Sequence, residues 1–255
     1  MLHTNLHISE EEINNWNKFG FLLRSNHLKN TITDLNKAIK EIEGIHGDKR
    51  ESLFYYEEIN NKPKLCRIEK FLKDNIILHE MIIGPNILGL VSKLLAKPVF
   101  LYKEKINIKC SGGLGYSAHQ DATAYHKLKG HITCLIALTE MTKENGCLYL
   151  SEFENNKTIL PYDDNGCILE DREKTLTWIP MIMTPGDCLF FNSFVPHKSN
   201  TNYTDKSRKA IYLTFNDADE GDLRNNYYAE RSKKLELNKD RISTIGHFLG
   251  KNYRN

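Results

Sequence analysis

At 255 residues the chain is long enough for one large domain with a generous core, because β-sandwiches and barrels reach this length without splitting. Its 35 basic residues nearly balance 33 acidic ones, and the net charge of +2 gives no reason to expect a polyanionic partner such as nucleic acid. Six cysteines (Cys66, Cys110, Cys134, Cys147, Cys167, Cys188) form no C-x-x-C pair and lie in apolar surroundings, which fits reduced thiols in a cytoplasmic protein. The N-terminus resembles no secretory signal, and the apolar runs read as shorter than the roughly 20 residues that span a bilayer, so no membrane association is expected.

Along the chain, Ser9 and Glu12 have capping-box spacing, and Ile13, Trp16 and Phe19 form one apolar face of a helix that Gly20 ends before a short "FLL" strand. Leu35, Ala38, Ile39 and Ile42 predict a second helix over 33–43. Residues 74–97 contain two further helical pieces, broken at Gly84-Pro85 and stopped before Pro98. Residues 1–97 are therefore expected to be mostly helical. From 98 to 216 the texture changes to "VFLYKEKINIK", "HITCLIALTEM", "CLYLSEF", "TLTWIPM", "DCLFFNSF" and "KAIYLTFN", short β-branched and aromatic runs separated by turn residues. Six such runs predict a closed or double-sheet β core with helices packed outside it. The charged tail, 217–255, is read as a lid or edge cover.

The chemistry concentrates in "SAHQDATAY" and "FVPHKSN". On an extended segment His119 and Asp121 point the same way and can share one ion, while Gln120 faces elsewhere. His197 follows an apolar strand and supplies a third ligand from a distant element. Two histidines and one carboxylate suit ferrous iron with open coordination positions, and also suit zinc or manganese. Eleven residues later, Arg208 offers a fork matched to a carboxylate, and Ser199 can donate a second hydrogen bond to the same group.

Taken in order, "KEKINIK", "GYSAHQDATAY", "HIT", "NGCL", "PGDCLFFNSFVPHKSNTN" and "SRKAIYLTFN" resemble the phytanoyl-CoA dioxygenase-like iron(II)/2-oxoglutarate oxygenases, and "ISEEEINNWNKFGFLL" resembles that family's entry segment. The resemblance implies a mainly β fold with flanking helices and a double-stranded β-helix (jelly roll, cupin-like) core. It implies Fe(II) held by His119, Asp121 and His197, with 2-oxoglutarate and O2 as co-substrates. Arg208 and Ser199 match the positions that hold 2-oxoglutarate, and Arg67 and Thr133 are candidates for the same pocket. Within the family, the motifs look most like the branch that hydroxylates 2-aminoethylphosphonate, so a small polar metabolite, an aminophosphonate among them, is the expected substrate.

On the substrate side, Lys103, Lys105, Asn107 and Lys109 alternate along one strand; the default reading is a solvated face or a lysine-protected sheet edge. In a jelly roll the same face can instead point into the barrel mouth, so Lys105, Asn107, Gln120 and Tyr125 are the candidates for substrate contact, with His126 beside them. Gly112, Gly113 and Gly115 are read as a flexible lip, and Tyr227-Tyr228 as packing residues. Three alternatives keep the fold: an inactive ligand-binding or sensing member, a natural-product tailoring oxygenase, and a zinc hydrolase, which has no use for Arg208.

Overall fold

The computed structural model describes residues 7–44, 51–125, 131–154, 157–237, 247–250 and 252–254; His126 lies outside them. α1 (Glu10–Phe19) opens on the predicted capping box, with Ser9 N donating to Glu12 Oε2 at 2.8 Å and Glu12 N donating to Ser9 Oγ at 3.2 Å. β1 (Phe21–Arg24) follows, then α2 (Ile32–Glu43), which buries Leu35, Ala38, Ile39 and Ile42.

The next segment departs from the mostly helical expectation. β2 (Leu53–Ile59) and β3 (Lys62–Glu69) form an antiparallel hairpin turned by Asn60 and Asn61, both left-handed at φ 53 and 58. Pro63, the lysines of its exposed end and the buried Arg67 and Glu69 break the apolar alternation that marks a strand.

Ile76–Leu95 is also more apolar than expected from its runs: it is 20 residues long with mean hydropathy 1.3, enough by length and composition to cross a membrane. Here it bends through α3 (Ile76–Ile82), a π-helical turn at Pro85–Gly89 and α4 (Leu90–Leu95), and buries Leu78, Ile82, Ile87, Leu90, Val91 and Leu94 in the core.

The remaining elements are β4 (Val99–Lys109), β5 (Tyr116–His119), β6 (His131–Ala137), β7 (Leu148–Ser151), α5 (Glu170–Glu173), β8 (Trp178–Pro180), β9 (Cys188–Asn192), β10 (His197–Ser199), β11 (Arg208–Asp217), α6 (Arg224–Leu237) and β12 (Asn252–Arg254). All six β runs predicted after residue 98 are strands. They form an eight-stranded antiparallel sheet in the order β1-β9-β6-β11-β4-β3-β2-β12 and a four-stranded one, β5-β10-β7-β8, the two layers of a jelly roll.

Alternation divides the large sheet. Ile106, Phe190, Ile211 and Leu213 join Trp16, Leu35 and Ile39 under the helices, whereas Leu135, Leu189, Phe191 and Ala210 meet Leu150 of the second sheet. The space between the sheets is therefore lined from β4 by Lys103, Lys105 and Asn107. β4 runs between β11 and β3, so its lysines lie neither on an edge nor on a solvated face, which overturns the default reading.

Nor is the glycine cluster a flexible lip. Gly112 N donates to Asn202 O at 2.9 Å, Asn202 N returns a bond of 2.9 Å to Gly113 O, and a Cβ on Gly115 would stand 2.1 Å from Ser199 O. Only glycine lets these two backbones approach so closely. Gly115→Ala is expected to cost about 1–3 kcal/mol as overpacking, read as a lower thermal midpoint.

Candidate active site

His197 on β10 pairs directly with His119 on β5, bringing their ring centroids to 4.1 Å. Gln120 is extended (φ −120, ψ 131) and leads into a 3-10 turn over Asp121–Ala124, so Asp121 returns to the side of His119. One donor atom from each of His119, Asp121 and His197 falls within 4.8 Å of the others. His119 Nδ1 donates to Ser117 O at 2.7 Å and His197 Nδ1 to Val195 O at 3.0 Å, which leaves each Nε2 lone pair for an ion. Burial, helped by the other histidine, pushes His119 down to about 3, and burial lowers His197 as well. Burial alone would raise Asp121, but its electrostatic interactions with His197, Lys103 and Lys105 win and hold it well below the usual carboxylate range. The centre thus offers two neutral imidazoles and a carboxylate, the donor set of a divalent ion with free positions.

Arg208 opens β11 opposite Lys109 and is 3% exposed; its Nε and Nη1 are buried without an acceptor among the described residues. An acceptorless buried guanidinium is costly unless a ligand carboxylate completes it. Ser199 lies in the same cavity and accepts from Lys109 Nζ at 2.9 Å, while burial and then Arg208 push the Lys109 ammonium down to about 6.

This cavity, about 160 Å³, is lined by the three candidate ligands, Arg208, Ser199, Arg67, Lys105, Asn107 and Tyr125. Arg67 is fixed by Asn107 Oδ1 at 3.0 Å and the Tyr116 hydroxyl at 2.8 Å. Thr133 and Gln120 are not brought to it. Thr133 shares a hydroxyl hydrogen bond of 3.1 Å with Thr214 inside the sheet. The Gln120 amide points the opposite way from the triad, as strand alternation requires, donating to Thr158 O at 2.9 Å and to Phe194 O and accepting from Leu160 N at 2.7 Å.

Several lining residues are not among the candidates that the sequence supplies: Lys103, Glu69, Tyr227, Arg231 and His247. Tyr227 is expected to pack, yet only Tyr228 is fully enclosed, with its hydroxyl on Glu104 O at 3.0 Å. The four-residue spacing of Tyr227 and Arg231 places both on one face of α6, a usable signal. His247 carries none: its ring stacks on His119 at 4.0 Å because the tail returns, through Ser117 N to His247 O at 2.8 Å, to the metal strand.

Beside the cavity, His131 is buried with both ring nitrogens unpartnered among the described residues, and burial pushes it down to about 3 from 6.5. The unfolded chain therefore binds a proton there that the folded chain refuses, so stability present above pH 6.5 is lost as pH falls toward 3. His131→Phe is expected to remove about 2 kcal/mol of the stability loss between neutral pH and pH 5, measured by denaturant unfolding at both.

Two stacked antiparallel sheets enclosing a two-histidine, one-carboxylate centre define a jelly-roll oxygenase-type site. A model of the family "Phytanoyl-CoA dioxygenase (PhyH)" matches residues 16–210. The chain belongs to the phytanoyl-CoA dioxygenase family. It is 37% identical to a methylphosphonate hydroxylase of Gimesia maris, over 97% of this chain and 98% of that protein. It is 31% identical to a 2-aminoethylphosphonate dioxygenase of an uncultured bacterium, over 92% of each. The crystal structure of EctD from S. alaskensis with 2-oxoglutarate and 5-hydroxyectoine shares the fold at TM-score 0.71 and 17% identity, covering 86% of this chain and 82% of that one.

Proposed function

We propose that this chain is an Fe(II)- and 2-oxoglutarate-dependent dioxygenase that hydroxylates a small phosphonate in the cytoplasm. The observation that carries the reading is the acceptorless guanidinium of Arg208 in the same cavity as His119, Asp121 and His197. A zinc hydrolase needs the triad alone; a keto diacid needs the triad and an Arg. When bound, iron and 2-oxoglutarate supply the oxidising power with O2, and the protein's task is orientation and exclusion of water.

His119, Asp121 and His197 would hold the ion. Arg208 would pair with the far carboxylate of 2-oxoglutarate, with Ser199 bonding it and Lys109 fixing the serine hydroxyl. At the other end of the chamber the Lys105 amine lies 4.9 Å from the Tyr212 ring; burial and then the charge of Arg67 hold it well below the ordinary lysine range, and a phosphonate oxygen beside it would favour its protonated form. Arg67 and Asn107, bonded to each other, form the wall between these ends. Two phosphonate-oxidising relatives at more than 30% identity support this substrate class, and six free cysteines support a reducing compartment.

The test is succinate release from 2-oxoglutarate with Fe(II) and O2, with and without methylphosphonate or 2-aminoethylphosphonate. Stimulation by either phosphonate is expected. Absence of a visible charge-transfer band on anaerobic addition of Fe(II) and 2-oxoglutarate would overturn the co-substrate assignment.

A further inference from the structure

The chamber that faces the triad is lined by five basic side chains, Arg67, Lys103, Lys105, Arg208 and Arg231, of which burial lowers Lys103 and, more strongly, Lys105, and by three carboxylates, Glu69, Asp121 and Glu230. Two of the carboxylates are committed. Asp121 belongs to the candidate metal centre. Glu69 is clamped between Arg231 Nε at 2.8 Å and Arg67 Nη1 at 3.4 Å, away from solvent. Glu230 stands exposed on α6 at the rim, where water and salt screen its field.

A ligand ammonium can instead settle on aromatic faces, and the chamber has several. Three of them, Tyr125, Tyr212 and Tyr227, already face a cation of the protein. The Lys103 ammonium touches the Tyr125 hydroxyl and lies 4.7 Å from the Tyr125 ring and 5.8 Å from the Tyr227 ring. Lys105 covers Tyr212 at 4.9 Å, and the Arg231 guanidinium lies 6.0 Å from Tyr227. Around Lys103 and Lys105 the protein's own basic groups thus occupy the ring faces that would otherwise receive a substrate amine.

Lys103 and Lys105 are two residues apart on one strand face, a rise of roughly 6.6–6.8 Å, so a group two carbons from a phosphonate seated at Lys105 lies within reach of Lys103. A methyl group or hydrogen there meets tyrosine rings and lysine methylenes. An ammonium there meets a like charge in a partly dry chamber, which repels it.

Resting on the phosphonate reading above, we propose that the site selects phosphonates without an ammonium group, and that Lys103 is the residue that determines this selectivity. The decisive comparison is between 2-aminoethylphosphonate and n-propylphosphonate, which differ only by NH3+ in place of CH3, with succinate release by the Fe(II)-loaded enzyme as the readout. The wild-type kcat/KM is expected to favour n-propylphosphonate by at least about 10-fold, in keeping with a difference of about 1.4 kcal/mol. Lys103→Met is expected to narrow that ratio, and Glu230→Gln to leave it unchanged.

A wild-type preference for the amine, an unaltered ratio in an active Lys103→Met enzyme, or a selective loss of aminoethylphosphonate turnover in Glu230→Gln each overturns the inference while leaving the phosphonate reading intact. Succinate release stimulated by no phosphonate, methylphosphonate included, in enzyme that still forms the Fe(II)/2-oxoglutarate band overturns the phosphonate reading and the inference together.

Discussion

Asp121→Ala is expected to lower iron-dependent succinate formation by more than about 100-fold, because loss of an outer partner of a metal ligand already costs 10–100-fold and here a ligand itself is removed. The environment makes the loss severe. Asp121 is the carboxylate that faces the two imidazoles, and Lys103 and Lys105 act on it electrostatically. Without it a divalent cation would meet two neutral rings inside a cationic chamber. Glu69 cannot substitute, since Arg231 and Arg67 hold it. Fe(II) binding by equilibrium dialysis should weaken in parallel with turnover, with an unchanged circular dichroism spectrum. Activity within tenfold of wild type would remove Asp121 from the ligand set.

Arg208→Ala is expected to raise the KM for 2-oxoglutarate by about 100-fold, or about 2.7 kcal/mol, within the range for truncating one partner of a buried charge-assisted pair. Its Nε and Nη1 have no acceptor among the described residues, so the loss should fall on co-substrate binding and not on a structural ion pair. Arg208→Lys should recover little, because a single ammonium cannot replace the planar two-donor fork. The Fe(II)/2-oxoglutarate charge-transfer band gives an independent check: in Arg208→Ala it should reach full intensity only at correspondingly higher 2-oxoglutarate. An unchanged KM would mean that the orphan guanidinium serves some other anion.

Two positions along β4 show how these two effects are separated in space. Lys109 is paired with Arg208 across the strand boundary, and Lys103 lies six residues away beside Tyr125. At the strand rise this is about 20 Å. On the proposed function, one strand would carry both the residue that props the 2-oxoglutarate pocket and those that face the substrate.

Local signals in the chain make much of this legible. The capping box at Ser9, the helix over 33–43 and the six β runs are written in periodicity and turn chemistry, and the protein forms all of them. His119, Asp121, His197 and Arg208 are legible because short spacing within a strand and the order of motifs along the chain constrain them. The β2–β3 hairpin is not, since its buried face carries Arg67 and Glu69, and the pairing of Glu69 with Arg231 depends on α6 more than 160 residues away.

By itself, then, the sequence determined the family, the β core and the identity of the residues that converge on the centre. Only the tertiary structure decided which way the β4 lysines face, that Thr133 and Gln120 turn away from the cavity, and that Tyr227, Arg231 and His247 come to it. The physical reason is that strand alternation specifies which residues share a face, while the choice of face is settled by what packs against it: here helices on one side of the large sheet and the metal strands on the other.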